Sequence, residues 1–202
     1  MNTTSTISDP AAWHRVLCHL TEWLALSGDL DTQNPEAALA QLRQWESEGI
    51  THIIDLRDEW SDEGFVAEHS PTMNYTHLGT RDDGGWQEGS WFEKGLAVIE
   101  VVKALQGKAV VHCHMGVNRA PSMAYAMLLA DGLDHIEALE LIRERRPIAG
   151  IIYAPAAISH HLRVNGIEGL TATERKAQVH NWLNDNPVDL YWVISRIRES
   201  ER

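Results

Sequence analysis

The stretch that decides the fold is KAVVHCHMGVNRAPSMAYAMLLA, residues 108–130. It begins with an apolar, β-branched run that is typical of a buried strand. Its last part, residues 120–130, is apolar on nearly every side and predicts a buried helix. Between them, five residues separate Cys113 from Arg119, and one of these is Gly116, which can turn the chain sharply. We therefore expect a strand, a tight loop and a helix in direct succession.

This succession places a thiol and a guanidinium at an anion-binding loop. The N-terminus of the helix points back at the loop, where unpaired backbone N–H groups and the helix dipole attract negative charge. Arg119 can donate two parallel hydrogen bonds to a phosphate. At the floor of the loop the pKa of Cys113 would be lowered, and its thiolate could attack phosphorus. The alternative interpretation is a buried structural cysteine at a strand end.

The segments on either side alternate between strand and helix patterns. The predicted strands are residues 23–30, 50–56, 74–80 and 108–113. The predicted helices are residues 11–20, 34–49, 88–106, 120–130 and 135–146, with a charged loop at 57–64. This order predicts an α/β fold with a mainly parallel central sheet of about four to five strands flanked by helices.

Three regions are expected along the chain. Residues 1–10 indicate a flexible N-terminal tail, residues 11–165 a catalytic domain, and residues 166–202 a helical extension packed on that domain. The extension contains two helix patterns without evident chemistry, one with Thr171 and Glu174 at capping-box spacing. A partner-binding surface is the alternative interpretation of these helices.

Composition excludes several classes of function. The chain has 202 residues and a formal net charge of −12, which argues against broad binding to nucleic acid or to anionic membranes. Its two cysteines are too few for a disulfide framework, so a reduced, cytoplasmic location is expected. We see no signal peptide and no apolar run long enough to span a membrane. We expect no cofactor and no metal, because His160 and His161 lack a third ligand at metal-site spacing.

The segment VHCHMGVNRAPS, residues 111–122, resembles the signature loop of the cysteine-dependent protein tyrosine phosphatase superfamily. It is most similar to the dual-specificity group, whose loop reads V-H-C-x-x-G-x-x-R-S. The likeness extends over roughly residues 20–160, where four further segments match in the right order. These are WLALSGDL, EGITHIIDLRDE, SWFEKGLAVIEVV and RERRPIAG.

The resemblance implies a role for each residue of the loop. Cys113 would be the nucleophile that forms a phosphocysteine intermediate, and Arg119 the phosphate clamp. His112 would support the thiolate by fixing the loop, Asn118 would hold the loop's shape, and His114 would shape the substrate from the rim. The phosphate cradle would be formed by the backbone amides of His114, Met115, Gly116, Val117, Asn118 and Arg119.

The resemblance also implies a general acid about thirty residues before the cysteine. The segment GTRDDGGW offers two candidates, Asp82 and Asp83. Counting from the flanking segments favours Asp82, whereas the Asp-Gly-Gly pattern of some relatives favours Asp83. A solvated turn would explain the same residues without any catalytic role.

One position departs from the family pattern. Most relatives place Ser or Thr directly after the arginine, where its hydroxyl helps the thiolate to leave, and this chain has Ala120. We therefore expect the phospho-enzyme to break down slowly. Ser122 is expected to face another direction on the helix, so its hydroxyl would not replace the missing one. The expected function is hydrolysis of phosphotyrosine on proteins, with phosphoserine and phosphothreonine as further candidate substrates. The alternatives are a phosphate-binding module with little turnover, a phosphatase for a non-protein ester, and a rhodanese-like sulfurtransferase.

Overall fold

A five-stranded sheet forms the centre of the protein. The computed structural model describes residues 9–202. The strands are β1 (Cys18–His19), β2 (Leu24–Ser27), β3 (His52–Arg57), β4 (Asn74–Thr80) and β5 (Ala109–His112). Their order across the sheet is β1-β2-β5-β3-β4, and only β1 runs antiparallel to its neighbour. The predicted α/β fold with a mainly parallel sheet is confirmed.

Eight α-helices of the described chain flank this sheet, after a short 3₁₀ helix at Pro10–Trp13. The helices are α1 (Pro35–Ser47), α2 (Glu63–His69), α3 (Gly89–Ala104), α4 (Arg119–Ala130), α5 (His135–Arg145), α6 (Ala154–Val164), α7 (Gly169–Asp185) and α8 (Leu190–Ser200). Local sequence explains where some of them begin. The Asn34 side chain accepts a hydrogen bond from the Ala37 amide, and the Asp134 side chain caps α5 in the same way.

The stretch at 108–130 lies at the middle of the molecule. All four residues of β5 are buried, and this strand pairs with β2 on one side and β3 on the other. Helix α4 is buried from Arg119 to Leu129, which is why its sequence is apolar on every side. Cys113 therefore emerges at the carboxyl end of the central strand, where open parallel sheets bind ligands.

Several sequence predictions are wrong, and tertiary contacts explain why. The helix predicted at 11–20 is instead the 3₁₀ helix followed by β1, because Cys18 and His19 pair with Leu26 and Ala25 at the sheet edge. Helix α2 begins inside the charged segment at 57–64, which was predicted to be a loop. Helix α6 was not predicted at all, and it packs against α4.

The two C-terminal helices pack on the sheet domain. Helix α7 starts at Gly169, two residues before Thr171, so the predicted capping box lies within the helix. Its Val179 belongs to the main core, while Val193 and Ile197 of α8 pack in a cluster beside the loop after Cys113. The division into three regions stays a proposal. The first eight residues of the predicted tail lie outside the described residues, and Pro10 opens the 3₁₀ helix.

Within residues 9–202, no helix combines the length and the apolar character that a membrane span requires.

Candidate active site

The loop after β5 bends sharply around a buried thiol. Cys113 is 2% exposed, and Gly116 has a φ of 63°. A Cβ atom at Gly116 would lie 2.3 Å from Arg146 Nη2 and 2.6 Å from the Ser27 carbonyl oxygen. Glycine is therefore required here both by the backbone conformation and by the close approach of the Arg146 side chain.

Arg146 braces this loop from behind, a role that the sequence analysis missed. Its buried guanidinium donates to the carbonyl oxygens of Gly116 (2.6 Å) and Met115 (3.0 Å) within the loop. It also donates to the carbonyl oxygens of His14 and Val16 near the N-terminus. One side chain thus donates to four backbone acceptors, and the carbonyl oxygens of Met115 and Gly116 have no other donor among the described residues.

Arg119 is held by a carboxylate from the loop after β3 and by a carbonyl oxygen at the end of β4. Its Nη1 and Nη2 donate to the two carboxylate oxygens of Glu59 at 2.7 and 2.9 Å. Nη1 also donates to the Thr80 carbonyl oxygen at 3.0 Å. This bidentate pair orients the guanidinium and leaves its Nε without a hydrogen-bond partner among the described residues. The role of Glu59, in the segment LRDE, was missed because nothing in its local sequence shows that its carboxylate pairs with Arg119.

The structure places the two candidate aspartates in different surroundings. The Asp82 carboxylate turns towards the loop: Asn118 Nδ2 donates to Asp82 Oδ1 at 2.6 Å, and Asp82 Oδ2 lies 3.3 Å from Arg119 Nε. The Asp83 carboxylate instead accepts the Gly85 amide at 2.8 Å, a local turn. Both residues border the pocket above Cys113, but the carboxylate that contacts Asn118 and Arg119 is that of Asp82.

Asn118 joins this aspartate to the rest of the loop. Its Oδ1 accepts the Ile152 amide at 2.8 Å and the Ser122 hydroxyl at 3.2 Å. Ser122 in turn accepts the Tyr153 amide, so its hydroxyl is used within the fold. The Tyr153 hydroxyl donates to Asp82 Oδ1 at 3.1 Å. Tyr153 was also missed, because its contact with Asp82 spans 71 positions of sequence.

The pKa of Cys113 is raised in the structure, whereas the sequence predicted a lowered pKa. Burial raises the pKa of the Cys113 thiol, and it outweighs the opposite effects of Arg119 and of the Ala120 and Gly116 amides. The Asp82 carboxylate adds to the rise, because a nearby negative charge disfavours the thiolate.

Replacement of Asp82 by asparagine is expected to lower the pKa of Cys113. The substitution removes a negative charge close to the sulfur while keeping the size of the side chain. The rate of alkylation by iodoacetamide, measured against pH, should therefore have its midpoint at a lower pH in Asp82→Asn than in the wild type. Asp83→Asn is the matched control, and an equal shift in both variants would contradict the placement of Asp82.

The two histidines beside Cys113 lie in a network of buried charges. His112 is fully buried, its ring nitrogens have no hydrogen-bond partner in the described chain, and burial lowers its pKa. His114 is partly exposed at the rim, and its Nδ1 lies 2.8 Å from Asp29 Oδ2. Beneath them Arg57 forms ion pairs with Asp29 and with two further aspartates, Asp55 and Asp62. The supporting role of His112 and the substrate-shaping role of His114 remain predictions.

Two groups of residues in the described chain are close enough to share a metal ion. One consists of Asp55, Asp62 and His112, and the other of His14, His114 and Glu201. The two carboxylates of the first group already pair with the Arg57 guanidinium, which compensates their charge. We assign no catalytic step to either group.

A pocket of about 360 Å³ lies above the thiol. Its floor contains Cys113 and Arg119, and Glu59, Asp82 and Asp83 supply acidic groups. The remaining wall is largely apolar and includes residues of α8. The other lining residues are Gly84, His114, Met115, Val117, Asn118, Ile152, Leu190, Ile194 and Arg198.

Comparison with known proteins finds relatives that are similar in sequence and in fold. Human dual specificity protein phosphatase 4 is 33% identical over 60 residues, which are 29% of this chain and 15% of that protein. The chain thus corresponds to a small part of that longer relative. The PTPMT1 crystal structure has a TM-score of 0.60 at 20% identity, covering 75% of this chain and 97% of that chain. Human DUSP28 has a TM-score of 0.60 at 17% identity, covering 74% and 95%.

At these identities the solved structures are similar in fold, and one further structure shows PTPMT1 in complex with PI(5)P. The amino-acid sequence itself matches the family described as "Dual specificity phosphatase, catalytic domain" over residues 34–152. This segment is more than half of the chain and contains both Cys113 and Arg119. The chain therefore belongs to the dual specificity phosphatase catalytic-domain family, within the cysteine-dependent protein tyrosine phosphatase superfamily.

Proposed function

We propose that this protein hydrolyses phosphate monoesters, phosphotyrosine first and phosphoserine or phosphothreonine as further substrates, through a cysteinyl-phosphate intermediate. The observation that supports this most directly is the meeting of Cys113, Arg119 and Asp82 in one pocket. These groups are a nucleophile, an anion clamp and a proton donor, which are the three functions that the reaction needs. No cofactor takes part in the proposed mechanism.

In the first step the phosphate binds at Arg119 Nε and at the loop amides. The Cys113 thiol passes its proton to an oxygen of the bound phosphate dianion. The thiolate then attacks phosphorus, so an S–P bond forms while the P–O bond to the leaving group breaks. Asp82, held by Asn118 and Tyr153, is the proposed donor of a proton to the leaving oxygen. In the second step the Asp82 carboxylate takes a proton from water, whose oxygen attacks phosphorus. The S–P bond then breaks and inorganic phosphate leaves.

The test is hydrolysis of para-nitrophenyl phosphate at mildly acidic pH. We expect activity in the wild type that vanadate inhibits, because vanadate occupies the same loop as phosphate, and no activity in Cys113→Ser. Cys18→Ser is the matched control, since Cys18 is also buried but lies on β1. Absence of vanadate-sensitive hydrolysis, or equal loss in both serine variants, would contradict the proposal.

Ala120→Ser is expected to raise the steady-state turnover rate. Ala120 is buried next to the thiol, and Ser122 cannot supply a hydroxyl there because it bonds Asn118 and Tyr153. A hydroxyl that donates to the departing thiolate is worth about 1.5–3 kcal/mol, so we expect a gain of about 10–10²-fold. Pre-steady-state release of nitrophenol should show a burst in the wild type that diminishes in the variant. No burst in the wild type, together with an equal rate in Ala120→Ser, would exclude slow breakdown of the phospho-enzyme.

A second candidate function, a phosphate-binding module with little turnover, is favoured by one specific observation. Ala120 removes the hydroxyl that assists the second step, while the phosphate-binding loop and Arg119 are retained. This candidate predicts stable binding of a phosphopeptide without release of phosphate. The same burst experiment separates the two functions, because a module that lacks the second step releases at most one nitrophenol per protein molecule and no steady-state release follows.

A further inference from the structure

Helix α8 forms part of the wall of the active-site pocket. Leu190, Ile194 and Arg198 all line the pocket, and their spacing of four residues places them on one face of the helix. This helix lies outside residues 34–152, the segment that matches the family. The pocket of this chain therefore has a wall that the matched segment does not supply.

The position of α8 is determined by contacts with the phosphate loop itself. Val193 and Ile197 are fully buried, and they pack with Met115 and Val117, whose backbone amides belong to the proposed cradle. The partly buried Ile194 packs against the same cluster. An apolar contact of this kind positions the wall relative to Cys113, because both belong to one packed unit.

Arg198 carries a positive charge that no other described residue neutralises. It is exposed, and within residues 9–202 it forms no ion pair. Arg196, two positions earlier, pairs with Glu199 at 2.6 Å and with Asp9 at 3.8 Å. The other guanidinium of the pocket, Arg119, is paired with Glu59. Arg198 is therefore available to an anion that enters the pocket.

We propose that Arg198 binds a second anionic group of the substrate, an acidic residue that neighbours phosphotyrosine in a peptide. Leu190, Ile194 and Ile152 would contact the aromatic ring between the two charged ends. A phosphoserine side chain offers no comparable apolar surface. The formal net charge of −12 opposes docking on an anionic membrane, which favours a peptide over a lipid. This inference rests on the proposed phosphatase function.

The experiment compares two phosphotyrosine peptides that differ only in whether aspartate or asparagine flanks the phosphotyrosine. In the wild type kcat/KM should be about fivefold higher for the aspartate peptide, as expected for one partly exposed ion pair. The ratio should fall to about one in Arg198→Ala, and Arg198→Glu should invert it in favour of the asparagine peptide. Arg198→Lys should retain part of the preference, because the charge remains without the planar fork.

Arg196→Ala is the matched control, since Arg196 lies on the same helix but does not line the pocket. In Arg196→Ala the ratio of kcat/KM for the aspartate peptide to kcat/KM for the asparagine peptide should equal that of the wild type. A wild-type ratio of one, or a ratio that Arg198→Glu leaves unchanged, would overturn the inference. Faster release of phosphate from a phosphoinositide in phosphatidylcholine vesicles than from either peptide would also overturn it. Hydrolysis of the asparagine peptide by the wild type tests the phosphatase function separately, because it does not depend on Arg198.

Discussion

Asp82→Asn is expected to lower kcat/KM by about 10²–10⁴-fold for phenyl phosphate, the range that loss of a general acid produces. The expelled phenolate is a strong base, so departure without a proton is slow. The structure supports Asp82 in this role, because its carboxylate contacts Asn118 of the loop and faces Arg119. The substitution keeps the size of the side chain and removes both the acidic proton and the negative charge of the carboxyl group.

The choice of leaving group separates this role from a structural one. Dinitrophenolate leaves without protonation, so the loss of kcat/KM in Asp82→Asn should be much smaller for dinitrophenyl phosphate than for phenyl phosphate. The comparison uses kcat/KM because it reports transfer of the phosphoryl group to Cys113, whereas kcat reports the slow second step that is common to both esters. The same variant is expected to have a lower pKa at Cys113, so a fall in kcat/KM cannot come from a scarcer thiolate. Asp83→Asn should change kcat/KM by less than about threefold, because its carboxylate bonds only its own turn. A loss that is equal for both leaving groups would contradict the assignment.

Arg146→Met is expected to lower the free energy of unfolding by about 3–5 kcal/mol. The substitution keeps an apolar stem but leaves the carbonyl oxygens of Gly116 and Met115 without a donor. The carbonyl oxygens of His14 and Val16 lose one donor each and keep the Gly28 amide and the Cys18 thiol. A buried acceptor without a partner costs about 1–3 kcal/mol, so the two carbonyl oxygens of the phosphate loop account for most of the expected loss. Urea denaturation monitored by tryptophan fluorescence measures the change.

Arg145→Met is the matched control for this measurement. Arg145 is the preceding residue, but its side chain is 55% exposed and lies 3.9 Å from Glu144, a surface pair. Its loss should alter the free energy of unfolding by less than about 0.5 kcal/mol. Similar destabilisation by both variants would mean that the bonds from Arg146 to the phosphate loop do not contribute to stability.

Patterns within a short window of sequence were read correctly. Strand β4 spans the predicted residues 74–80, and helices α1 and α5 begin within one residue of the predicted starts at 34 and 135. The succession of strand, loop and helix around Cys113 was also predicted, because each part depends on neighbours that are close along the chain. Where pairing partners are distant, prediction failed. Cys18 and His19 join the sheet only because β2 offers its edge, although their own sequence favours a helix.

The sequence by itself determined the central stretch: a buried strand, a cysteine, a glycine turn, an arginine and a buried helix. Only the tertiary structure decided which residues complete the site. Glu59 reaches Arg119 across 60 positions of sequence, Tyr153 reaches Asp82 across 71, and α8 lies against the pocket from the end of the chain. The physical reason is that hydrophobic periodicity and capping act within a few residues, whereas ion pairs and pocket walls form between segments that only folding brings together.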